Sequence, residues 1–132
     1  MGFGVKISAG VGVEPPDPTA PEVTLEIPNP RAERTTLTTA MTGGHILHLA
    51  VAACVLNDIY REAHRKGIPI DSVSVSADGG FGGDPVVSTG ITYSVEVMSP
   101  APSEQVNELI EHVDRIAEIP NTLKRGTEVW RA

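Results

Sequence analysis

The stretch "GGHILHLAVAACVLNDIYREAHRKG", residues 43–67, decides how this chain reads. Thr42, just before it, is a good N-cap because its hydroxyl can accept from an unpaired amide of the first turn. Gly67 tolerates a left-handed C-terminal conformation, and Pro69 beyond it cannot continue a helix. A helix is therefore expected over 42–67. Its two halves differ. From Ile46 to Leu56 almost every position is apolar, which predicts burial on all sides. From Asn57 to Lys66 the apolar residues shrink to Ile59, Tyr60 and Ala63, which predicts one wet face.

The only cysteine of the chain, Cys54, sits in the least polar part of that run. It reads either as a nucleophile in a pocket or as a small apolar filler. A thiolate is favoured by a helix N-terminus or a nearby cation and disfavoured in apolar surroundings. Cys54 lies about three turns into the helix, beyond the reach of the N-terminal dipole. Its neighbours a turn away are Ala50, Val51, Asn57 and Asp58. Asp58 disfavours a thiolate, and Arg61 is two turns on. Local sequence thus favours packing, and any activating cation must come from elsewhere in the chain or from another subunit. His45 and His48 form an i, i+3 pair with no completing ligand set, so they read as satisfied histidines rather than metal ligands, and no metal or cofactor is expected.

Outward from the helix, Phe3, Val5 and Ile7 alternate as an opening strand, and "EVTLEI" (22–27) alternates again. "PNPRAERTTLTTAMT" (28–42) reads as a long irregular connection, so residues 1–41 are N-terminal strands followed by that connection. "SVSVSA" and "VVSTGITYSVEV", joined by the glycine-rich "DGGFGGDP", make a hairpin over 70–98. That loop lacks the Lys-Ser/Thr ending and following helix of a phosphate loop. Val106, Leu109, Ile110, Val113, Ile116 and Ala117 recur at helical spacing, predicting a helix over 103–119 capped by Ser103 and ended by Pro120. Glu104, Glu108, Glu111, Asp114 and Glu118 avoid its apolar stripe and read as solvation. "NTLKRG" is a single turn, and residues 127–131 read as a last strand. The fold class is α+β in a single domain, 1–132, with a mostly antiparallel sheet, a buried central helix and a second, amphipathic helix, both packed on one face of the sheet.

Composition narrows the function. A net charge of −7 argues against a phosphate-backbone partner, so no nucleic acid is expected. No apolar run is long enough to span a bilayer, and the first residues lack the basic and long apolar regions of a signal peptide. A lone thiol fits a reducing compartment. A cytoplasmic protein without a membrane partner is expected. No G-x-S-x-G elbow supports a serine hydrolase.

The "AAC" deep in the central helix, "GIPIDSVSVSADG" leading into a hairpin, and "AEIPNTLKRGTEV" after the amphipathic helix together resemble the OsmC/Ohr proteins, the osmotically inducible and organic-hydroperoxide-resistance family. The resemblance runs from about Thr42 to the C-terminus. It implies an OsmC-like fold, an intertwined homodimer with sites at the subunit interface, and a peroxidatic thiolate that becomes a sulfenic acid. It puts Cys54 at the peroxidatic position. An arginine from the N-terminal segment, Arg31 or Arg34, would then hold the thiolate. Ile119 stands where the family has its resolving cysteine, and Gly44 about where it has a glutamate. The expected function is a single-cysteine thiol peroxidase acting on organic hydroperoxides in oxidative-stress defence, with an external thiol as reductant. The alternative is a protein that has lost this chemistry and binds a small apolar ligand at the dimer interface.

Overall fold

A computed structural model of the chain describes residues 2–13, 23–27, 32 and 34–132, with the backbone alone over 23–27. The elements run β1 (Val5–Gly10), β2 (Val23–Ile27), β3 (Thr35–Thr39), α1 (Gly43–Lys66), β4 (Ser72–Gly82), β5 (Val87–Met98), α2 (Ser103–Ile116) and α3 (Glu118–Arg125). The strands form one antiparallel sheet in the order β2-β3-β1-β4-β5.

Alternation writes the sheet's inner face. Val5, Ile7 and Ala9 of β1 stand beside Val73, Val75 and Ala77 of β4, with Ile7 opposite Val75, and all six are buried. α1 crosses this face and seats Ala52, Val55, Leu56, Ile59 and Ala63 on it. The helix begins and ends as its sequence dictates. The Thr42 hydroxyl accepts from the His45 amide, and Gly67 takes φ 69° while its amide reaches back to Ala63 and His64. α2 brings Val106, Leu109 and Val113 against α1, with Leu109 and Val113 joining the same core.

The structure corrects the sequence reading in several places. The threonine-rich segment inside the connection is a strand, β3, because β-branched residues suit a pleated ladder; Thr35, Thr36, Leu37 and Thr39 are buried there. α1 makes most of the helix contact with the sheet; α2 and α3 rest chiefly on α1, and α2 reaches the sheet at β5 through the Tyr93–Asp114 hydrogen bond. The helix expected over 103–119 breaks at Ala117, whose ψ of 118° is extended. Pro120 does not end it but sits in the first turn of the separate helix α3, where a missing N–H costs no hydrogen bond. Ser103 opens α2 without making a side-chain cap, Pro102 being the cap residue. Residues 127–131 form no strand and are exposed throughout. Finally, the first half of α1 is not buried all round: Ile46 is 39% exposed, and Leu47, Ala50, Ala53 and Cys54 are only half-buried.

Candidate functional site

Cys54 lies on the flank of α1 that turns from the sheet toward α3. Its thiol donates to Oδ2 of Asp58, one turn on, at 3.9 Å, a long but sulfur-appropriate contact. The first turn of α3 closes over it from the other side. Burial pushes the thiol pKa up. The backbone N–H of Ile119 pulls it down, the Asp58 charge pushes it up, the Glu118 N–H pulls it down and the Glu118 carboxylate pushes it up; the balance is a raised pKa. The Cys54 sulfur and carboxylate oxygens of Asp58 and Glu118 lie within 4.8 Å of one another. Glu118, read as a solvated residue of the amphipathic helix, is therefore part of the thiol's surroundings. Sequence spacing could not show this, because the kink at Ala117 is what turns Glu118 toward α1.

Asp58 is buried, and that burial raises its pKa; Arg61, one turn further, pulls it back down through an ion pair at 3.1 Å. The chain of charges continues. Arg61 Nε reaches Glu62 Oε2 at 3.4 Å, Arg65 reaches the same oxygen at 3.5 Å, and His112 of α2 donates through Nε2 to Glu62 Oε1 at 2.8 Å. Glu62 is only 2% exposed. Its carboxyl is held below the ordinary carboxylate range, first by the His112 hydrogen bond. Arg61, too distant in sequence to touch the thiol, is thus coupled to it through Asp58.

The helix entrance is apolar and aromatic. Phe3 stacks on His48 at 6.0 Å, tilts against His45 at 5.3 Å and meets Phe81 edge-on at 4.9 Å. A Cβ on Gly44 would overlap the Phe3 ring and press on Phe81. The ring of Phe3 therefore occupies the space that a glutamate at position 44 would need. His48 is fully buried, with Nδ1 bonded to the Gly44 carbonyl at 2.6 Å, but its Nε2 has no hydrogen-bond partner. The expectation of a fully satisfied histidine is half right. Its Nε2 points at Gly79, where a Cβ would collide with both the imidazole and the Gly90 carbonyl. His45 instead bonds the Thr42 hydroxyl through Nδ1 at 2.6 Å, so the two histidines face different partners.

Of the arginines expected near the thiol, Arg31 lies outside the described residues. Arg34 is half-buried just before β3, where its carbonyl accepts from the Gly10 amide at 3.0 Å. Among the described residues, the thiol's side-chain hydrogen-bond partner is Asp58, not an arginine. Ile119, expected at the resolving position, is in the first turn of α3, and its amide lowers the Cys54 pKa. Among the described residues, open cavities also lie away from the thiol. One of about 630 Å³ lies on the sheet, lined by residues including Lys6, Ser76, Asp78 and Ser94; another, of about 590 Å³, lies between β5 and α2. No helix among the described residues is long and apolar enough to cross a membrane.

Comparison with known proteins agrees with this architecture. A search of curated protein sequences gives no match. Among solved structures, an OsmC-like protein from Mycoplasma pneumoniae superposes with a TM-score of 0.59 at 18% identity, covering 80% of this chain and 89% of that one. An organic hydroperoxide resistance protein OsmC from Legionella pneumophila superposes with a TM-score of 0.54 at 12% identity, covering 82% and 92%. Likeness at these identities speaks for the fold. The family model for OsmC-like proteins matches residues 35–131, most of the chain and both segments that meet at Cys54. The chain belongs to the OsmC-like protein family.

Proposed function

We propose that the protein is a thiol peroxidase of organic hydroperoxides in which Cys54 is the nucleophile and an external thiol the reductant. The observation that carries this reading is the meeting of Cys54 with the first turn of α3: a Glu118 carboxylate oxygen lies within 4.8 Å of the sulfur, and the adjoining Ile119 amide lowers the thiol pKa. Cys54 and Ile119 are the two positions that would hold the peroxidatic and resolving cysteines, and they adjoin in space although far apart in sequence. The chemistry follows. The Cys54 thiolate attacks the outer oxygen of a hydroperoxide, the O–O bond breaks, and the alkoxide leaves as an alcohol after taking a proton. The resulting sulfenic acid condenses with an external thiol, releasing water and forming a mixed disulfide. A second external thiol frees Cys54 and leaves as the disulfide. Ile119 cannot play the resolving part, so the cycle closes only with that outside reductant.

The reading includes a homodimer of cytoplasmic location. Three features of the isolated chain support a second copy. The flank of α1 around Ile46, Ala50 and Ala53 is apolar yet incompletely covered, and Val129 and Trp130 stand 89% and 79% exposed in a segment with strand-like sequence. β5 is an edge of the sheet and leaves a row of backbone groups open. An apolar-ligand role gains less support, since polar or charged residues interrupt the walls of both cavities described. The test is consumption of cumene hydroperoxide with a dithiol reductant by wild type and by Cys54→Ser. Turnover by wild type and its loss in the variant is the expected result; equal background rates in both would overturn the proposal.

A further inference from the structure

The carboxylate of Asp58 does two things at once: one oxygen accepts from the Cys54 thiol at 3.9 Å and the other pairs with Arg61 at 3.1 Å. We propose that Asp58 is a positioning residue that restrains the nucleophile, holding Cys54 as a neutral thiol with its S–H aimed at the carboxylate, while Arg61 keeps that carboxylate ionised and in place. Its consequence for turnover rests on the thiol-peroxidase reading; its consequence for the ionisation of Cys54 does not.

The geometry gives the sign. A carboxylate accepting a hydrogen bond from S–H stabilises the protonated sulfur, and its negative charge opposes a thiolate beside it. Asp58 is only 4% exposed, so water screens this repulsion poorly. Ion pairing fixes the direction: Arg61 stands on the far oxygen, one step removed from the sulfur, and partly neutralises Asp58 without touching Cys54. The groups facing the thiol come from two elements. α1 contributes Asp58, with Arg61 and Glu62 behind it; α3 contributes the Glu118 carboxylate and the amides of Glu118 and Ile119. The amides favour a thiolate and the two carboxylates oppose it. The thiol is thus set between an activating helix terminus and a restraining acid; burial is the largest influence and raises the pKa, the Ile119 amide opposes it, and the Asp58 charge adds to the rise. A second subunit that brought a positive charge to Asp58 or Glu118 would release it.

Ionisation of Cys54 can be read without peroxide, from the pH dependence of its alkylation by iodoacetamide, since this is the only thiol in the chain. Asp58→Asn keeps the shape and removes the charge. The expected result is an alkylation midpoint at lower pH than wild type, with the rate at neutral pH rising about tenfold for each pH unit of displacement. Glu118→Gln, at an exposed position, should move the midpoint the same way by less. An unchanged or higher midpoint in Asp58→Asn would overturn the proposal; slower alkylation at every pH is the signature of a proton acceptor, and overturns it too. If Asp58→Asn does not fold, carboxyl-labelled NMR of wild type decides. The Asp58 resonance should show a second inflection at the Cys54 midpoint that vanishes once the thiol is blocked with methyl methanethiosulfonate; its absence overturns the proposal. Hydroperoxide consumption is measured separately. A shifted midpoint in a protein that consumes no hydroperoxide would retain Asp58 as a restraint and defeat only the peroxidase reading.

Discussion

Glu62 shows how much a single residue carries here. A carboxylate this buried is tolerated because His112 from α2 and Arg61 and Arg65 from its own helix surround it. Its pKa is lower in the folded chain than the ordinary 4.5, so the folded form binds its proton less readily than the unfolded form. The stability from this site is therefore complete above the unfolded value and is lost as pH falls through the folded one. Urea denaturation between neutral pH and pH 3 should show that loss. His112→Ala should remove about 1–3 kcal/mol at neutral pH by leaving Glu62 Oε1 without its partner, and should flatten the acid-side slope. Asp78, whose Oδ1 accepts from the amides of Gly79 at 2.7 Å and Phe3 at 3.2 Å, has a lowered pKa and adds to the slope in the same direction. Equal slopes in wild type and His112→Ala would place the origin elsewhere.

At the scale of elements, α1 was legible from its caps and its apolar run, and β4 and β5 from their alternation. β3 was not, because threonine serves strands and loops alike and only pairing with β1 and β2 decides between them. The fit of α1 against β4 depends on Gly79, where the helix presents His48 to a strand with no side chain. Gly79→Ala should cost about 1–3 kcal/mol through overpacking, measured as a lower urea midpoint at unchanged m-value. A neutral effect would mean that the helix can slide on the sheet. The α2–α3 kink is a second element-scale lesson. A proline after an amphipathic run reads as an end, yet Ala117 breaks the helix first and Pro120 is housed in the new first turn. That break carries the amides of α3 to Cys54.

For the whole molecule, two of the regions that leave apolar residues exposed stand out against what the sequence leads one to expect. The entry half of α1 and the C-terminal segment with Val129 and Trp130 are the parts of the sequence whose expected burial or strand pairing the isolated chain does not supply. A second copy would supply both. Sedimentation of wild type should give twice the mass of one chain, and Trp130→Ser should raise the dissociation constant or yield the monomer, with fluorescence of this sole tryptophan reporting its change of environment in wild type. A monomer across the micromolar range would remove the dimer from the proposed function.

The sequence by itself determined the α1 helix with both its caps, the β4–β5 hairpin, the apolar stripe of α2 and the family resemblance centred on Cys54. Each is written in short-range periodicity or capping chemistry, which a chain expresses locally. Tertiary structure decided what surrounds the sulfur. Read locally, Cys54 had Asp58 as its one charged neighbour within a turn; the fold adds the Ile119 and Glu118 amides, the Glu118 carboxylate and the Arg61–Glu62–His112 chain behind Asp58. It also fills the place of a glutamate at position 44 with the ring of Phe3. These are contacts between residues far apart in sequence, so their energies depend on burial and direction that no local pattern encodes.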